Sequence, residues 1–171
     1  QPKATLSELN EIKNWLQKRI SPFVKLAVVN PDYYQIKVDF KVRFRPGKSV
    51  GYYKIVLNEA IIAFLSPWAF EDSAEVNFGG KVFASSILNF VEDQEYVDFV
   101  TDFKMLPVDE PESGSVVELT ANTARTIMVS VPQHEITPIE YPETLAHQQA
   151  AKEKQQHLLG YMQVGEDFES S

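Results

Sequence analysis

The chain contains no cysteine. Disulfides, thiol nucleophiles and cysteine metal sites are therefore excluded, and the composition fits a reducing compartment such as the cytoplasm. No run of about 18 apolar residues occurs, so no hydrophobic segment is long enough to cross a bilayer as a helix. No secretory leader opens the sequence. The first residue is Gln1 rather than Met, which reads as a fragment or processed chain. The motifs G-x-S-x-G, G-x-G-x-x-G, H-E-x-x-H and the P-loop are all missing, so nothing marks a nucleophile elbow, a nucleotide cradle or a zinc site. Histidine is scarce: His134, His147 and His157 all lie beyond residue 132. A general base or metal ligand needs a rigid support, which a tail does not offer. These absences argue against an enzyme and against a bound cofactor or metal.

Among the residues present, 34–45 are the most telling. In YQIKVDFKVRFR every even position is apolar and every odd position polar. Strict period two predicts one long β-strand with a buried face and a wet face, spanning roughly 40 Å. The buried face carries Tyr34, Ile36, Val38, Phe40, Val42 and Phe44; the wet face carries Lys37, Lys41, Arg43 and Arg45. Such a strand is a scaffold, or an arm that pairs with something else.

The surrounding sequence supplies further elements. Thr5-Leu-Ser-Glu8 is a capping box, followed by Leu6, Leu9, Ile12, Trp15, Leu16 and Ile20 at helical spacing. Residues 23–29 read as a short strand that turns at Asn30-Pro31-Asp32 and pairs as a hairpin with the long one. Residues 49–66 are helical, with Tyr52, Val56, Ala60, Ile61, Phe64 and Leu65 facing inward. Pro67 ends that helix, and 67–81 form a structured loop. A second helix, of about ten residues, begins near Ser85 or Ser86, with Ile87, Leu88 and Val91 inward. Strands are expected at 97–105, 115–119 and 125–131. The order predicts an α+β fold: an antiparallel sheet with a long hairpin strand and two to three helices on one face. A domain spanning 1–132 is expected to give way to a linker and polar helical tail over 133–171, needing a partner to become ordered.

Charge is unevenly distributed. The net charge is −8, yet residues 1–54 hold eleven Lys/Arg against four Asp/Glu, and residues 55–171 hold five against twenty. Either basic and acidic ends of neighbouring chains meet, or folding interleaves the two segments. The carboxylates Glu92, Asp93, Glu95 and Asp98 read as a solvated helix end, since a cation cage needs a shaped loop with more oxygens. Nucleic-acid binding is disfavoured, because the aromatics of the long strand lie on its buried face and the chain is acidic. The candidate contact residues are Lys37, Lys41, Arg43 and Arg45 on the wet face, Trp68 and Phe70 in the loop, and Leu145, Leu158 and Leu159 in the tail. Aromatics of this kind favour interface hot spots, although they also cap cores.

Several local patterns occur together in one order: Leu16-Gln-Lys-Arg19, Val28-Val29-Asn-Pro31-Asp-Tyr33 leading into the alternating strand, Phe64-Leu65-Ser66-Pro67, and Phe78-Gly79 ahead of Ser85-Ser86-Ile87. Over about residues 6–131 this resembles the C-terminal part of baseplate J-like proteins, wedge components of contractile phage tails and related contractile injection systems. The resemblance implies a structural, non-enzymatic subunit without a cofactor, assembled in the cytoplasm and then carried in a tail or tail-like particle. It implies copies of itself and other baseplate, sheath or spike subunits as partners, with no nucleic acid, membrane span or small-molecule substrate. The alternative reading of the residues is a stand-alone ligand-binding or regulatory module. An enzyme with paired cleft carboxylates is the remaining one.

Overall fold

The computed structural model describes residues 2–70 and 74–142. In chain order the elements are α1 (Leu6–Gln17), β1 (Asp32–Phe44), α2 (Val50–Leu65), β2 (Lys81–Phe83), α3 (Ala84–Glu92), β3 (Val97–Pro107), β4 (Glu118–Thr120), β5 (Thr126–Ser130) and β6 (Glu135–Pro138), with short 3-10 turns at Pro67–Ala69 and Pro111–Ser113. One compact unit runs through Thr137, and a second begins at Pro138. The architecture is α+β, as the pattern of elements predicts.

β1 is the spine. Its alternation survives intact: Ile36, Val38 and Val42 are fully buried, and Tyr34, Phe40 and Phe44 nearly so. These six line the floor of the core. Val97 and Met105 of β3 extend that floor, and Leu57, Ile61 and Leu65 of α2 with Ile87 and Val91 of α3 close over it. The two helices thus cover one face of the sheet, as alternation on a half-buried strand requires.

Pairing differs from the expected hairpin. β1 runs antiparallel to β3, with Ile36 opposite Pro107 and Phe44 opposite Val97. Its other edge runs parallel to β5, from Asp32 opposite Thr126 to Ile36 opposite Ser130. β6 then pairs with β1. Both edges of the spine are thereby occupied, so residues 23–29 find no ladder to join and form no strand. Their apolar side chains stay outside: Phe23 is 96% exposed. The sheet is mixed rather than wholly antiparallel. β2 and β4 form a separate two-stranded sheet.

Besides a register shift between Arg43 and Phe44, two irregularities shape the spine. Between Asp39 and Lys41 the register shifts, so that β3 carries an extra residue. Asp102 there adopts φ 55°, the left-handed region. A bulge of this kind bends an edge strand and blunts it against edge-to-edge pairing. The second irregularity is where β5 leaves β1. The amide of Val38 loses its strand partner there and donates to Nδ1 of His134 (3.2 Å). His134 Nε2 lies 2.9 Å from Ser130 Oγ. That hydroxyl is 2.8 Å from the Val131 carbonyl and donates to it. The His134 amide in turn donates to Asn58 Oδ1 on α2 (2.9 Å). A histidine expected in the tail is thus a buried brace of the sheet, 3% exposed. The sheet accordingly runs beyond residue 132, where the domain was expected to end.

The helix at 143–159 and the tail residues Leu145, Leu158 and Leu159 lie outside the described residues. So do Gln1 and residues 71–73.

Candidate interaction surfaces

Three surfaces are candidates for recognition. The first is the wet face of β1. Lys37 Nζ meets Glu135 at 3.0 Å, Lys41 Nζ meets Asp102 at 2.9 Å, and Arg43 Nε meets Asp98 at 2.8 Å. Arg43 also lies over the Phe99 ring, 4.1 Å from its centroid. Arg45 Nε donates to the Val97 carbonyl (3.0 Å). All four cations nominated from the sequence therefore have partners within the chain. The Asp102 hydrogen bond raises the Lys41 pKa, and Lys41 in turn lowers that of Asp102. Lys37 likewise lowers Glu135. Exposed pairs of this sort add little to stability, because water and salt screen them. Their main effect is to leave this face mixed in charge, as cross-strand pairing does. Folding has interleaved basic and acidic segments here.

The second surface is α1. The capping box forms: the Glu8 amide donates to Thr5 Oγ1, and Glu8 accepts from the Thr5 amide. The amphipathic stripe also forms, but it does not pack on the core. No residue of α1 is buried. Leu6 is 79% exposed, Ile12 46% and Trp15 55%. Arg19 sits over the Trp15 ring at 3.7 Å. The segment is held at its start by reciprocal hydrogen bonds between Asn30 and Ala4 (2.9 Å each). The reason is topological: among the described residues, α2 and α3 already cover the buried face of the sheet, and α1 does not share it.

The third surface is an apolar groove between the end of α2, the turn at Pro67–Ala69, β2 and β5, with a volume of about 240 Å³. Phe64, Trp68, Phe83 and Met128 line it, with Glu75 and Lys81 as its charged groups. Phe64 stacks on Phe90 at 4.3 Å. Trp68 Nε1 is buried with no hydrogen-bond partner among the described residues. Phe70 and Phe78 are mostly exposed. Trp68 is thus half-buried in the groove wall and Phe70 outside it, while Phe64 and Phe83 are wall residues the sequence did not nominate. Phe64 was expected inward. α2 is apolar nearly all round, so its sequence does not reveal which stripe faces the core. The stripe that does is Leu57, Ile61 and Leu65.

Among the described residues, no group of three or more His, Asp and Glu is placed to hold a metal ion, and no helix is long and apolar enough to cross a membrane.

The model of a family described as baseplate protein PVC11-like matches residues 1–131. The chain belongs to that family. That family is one of baseplate proteins. The family shown is PVC11-like, whereas the sequence patterns resembled baseplate J-like proteins. A chain in the cryo-EM structure of the anti-feeding prophage (AFP) baseplate, 6-fold symmetrised, shares the fold with a TM-score of 0.59 and 18% identity, covering 75% of this chain and 26% of that one. This PVC11-like chain therefore spans about a quarter of the length of that relative. No curated protein matches it.

Proposed function

We propose that this PVC11-like chain is one domain of a baseplate wedge protein, equivalent to the C-terminal part of a J-like wedge component. It acts by assembly and performs no catalysis. Its neighbours are other baseplate subunits and further copies of itself around a six-fold axis like that of the AFP baseplate. Assembly takes place in the cytoplasm, before the particle is complete. The single observation that carries this reading is α1, a fully formed amphipathic helix whose apolar stripe touches no core. An exposed apolar stripe of this kind marks an interaction site. The groove at Trp68 and Phe83 is a second contact surface. The paired cations Lys37, Lys41, Arg43 and Arg45 form the rim of such contacts, where charges set register more than affinity.

The groove is also the observation that favours the alternative, a ligand-binding module. Its volume of about 240 Å³ lies below the roughly 300–1,000 Å³ of small-molecule sites, and suits an anchoring side chain better. Two measurements separate the readings. Tagged chain expressed with its baseplate operon is expected to co-purify with baseplate subunits, and Ile12→Asp to abolish that. Thermal unfolding against a metabolite library is expected to show no shift. A metabolite that raises Tm, with no co-purifying subunit, overturns the wedge reading.

A further inference from the structure

β6 is attached to the domain at few points. Among the described residues, Ile136 is its one side chain in the core, and every other core side chain comes from Met128 or earlier. The ring of His134, one residue before the strand, is what fixes it to the spine. Ser130 Oγ donates to the Val131 carbonyl, so the proton between that hydroxyl and the ring belongs to His134 Nε2. Nδ1 is left bare and accepts the Val38 amide of β1 (3.2 Å). Only the neutral ring in this tautomer satisfies both contacts. Asn58 on α2 holds the turn that leads in, accepting from the His134 amide (2.9 Å) and donating to the Pro132 carbonyl (3.2 Å). The groups around the ring do not shelter a positive charge. Lys37 of β1 and Lys54 of α2 are cations, and Glu135 of β6 is already engaged by Lys37 (3.0 Å). Asp39, the other neighbour of Val38, interacts with Lys41. β5 contributes the neutral Ser130. A cavity of about 250 Å³, lined by Lys54, Ile55, Asn58, Pro132 and Gln133, lies against His134 and Ile136, so β6 is loosely packed on its α2 side.

We infer that His134 is an acid-released latch: when Nδ1 takes a proton, two N–H donors oppose each other at Val38, β6 lets go of β1, and the ladders of β1 with β3 and β5 stay folded. The latch does not depend on the assembly role. Its size follows from the difference between the held and the released ring. Burial and the Lys37 charge lower the pKa of the held ring from 6.5 to about 4. A released ring therefore takes up a proton far more readily. Between pH 7 and pH 5 the population of released strand is expected to rise about 20-fold. The segment set free is the one that leads into the second unit at Pro138.

Native-state hydrogen exchange on the full chain tests the latch. The amides of Val38 and of β6 are expected to lose protection about 20-fold from pH 7 to pH 5. At either pH their exchange should hardly change as low concentrations of urea are added, the mark of a local opening that exposes little surface. Amides shared by β1 and β3 should instead quicken steeply with urea, because they exchange through global unfolding. His134→Asn keeps an acceptor and cannot titrate. In that variant the protection of β6 is expected to be the same at both pH values, with unchanged circular dichroism confirming the fold. If the Val38 and β6 amides share the urea dependence of the β1–β3 ladder, the strand leaves only with the whole domain and the latch is refuted. Equal protection at pH 7 and pH 5 in the wild-type chain also refutes it, as does an equal fall in His134→Asn. Should His134→Asn fail to fold, the wild-type exchange at the two pH values decides by itself.

Discussion

Acid should loosen this domain through His134. Its ring is buried where β5 hands the spine over to β6, and Nδ1 must stay unprotonated to accept the Val38 amide. Burial, with the nearby Lys37 charge adding to it, lowers the pKa from 6.5 to about 4. The unfolded chain therefore takes up a proton near pH 6.5, while the folded chain resists until about pH 4. Stability from this group is complete above the unfolded pKa and is lost as pH falls toward the folded one. By linkage the loss is about 2 kcal/mol by pH 5 and about 3 kcal/mol by pH 4. The first interval is the informative one, because most carboxylates remain ionised there. Urea unfolding followed by fluorescence at pH 7 and pH 5 measures it. His134→Asn preserves an acceptor near Nδ1 and cannot titrate. Its stability should be lower at pH 7, through the lost Ser130 contact, and nearly flat down to pH 5. Equal wild-type stability at the two pH values, or an equal slope in His134→Asn, would refute the brace.

Phe40→Ala empties the centre of the core, where the ring is 1% exposed and lies 5.6 Å from that of Phe103. A loss of about 3–5 kcal/mol is expected in denaturant titrations, with little change in the m-value. Asp102→Val places a β-branched residue at positive φ, a backbone strain that costs about 1–2 kcal/mol. Asp102→Gly relieves the backbone and should stay within about 1 kcal/mol of wild type, so the difference between the two variants measures strain at the bulge. Truncation after Gln133 removes His134 and β6, whereas truncation after Pro138 keeps both. The first should lower Tm by several degrees relative to the second, and equal melting would show that β6 adds nothing. Thr5→Ala breaks the capping box at a local cost of about 1 kcal/mol. Since α1 does not pack on the core, hydrogen exchange within α1 should quicken while the global unfolding midpoint holds.

The elements with strong periodicity were legible before the structure. β1 came through with its buried face residue by residue, because period two on a half-buried strand leaves only one assignment of faces. The core helices followed from breakers such as Pro67 and from apolar spacing, within a residue or two of their observed ends. The very short strands β2 and β6 were not legible, since three or four residues carry too little pattern. Of the nominated contact residues, Trp68 lines the groove, Phe70 lies outside it, and the four cations are paired within the chain.

What the sequence determined by itself is therefore local: a two-faced strand and amphipathic helices. Tertiary structure alone decided what those faces meet. Parallel pairing with β5 and docking of β6 filled the free edge of the spine and left residues 23–29 without a ladder. Among the described residues, two helices cover the buried face of the sheet, and α1 was left outside with its stripe exposed. An amphipathic pattern records that a face is to be covered; which surface covers it depends on how many others compete for the same sheet.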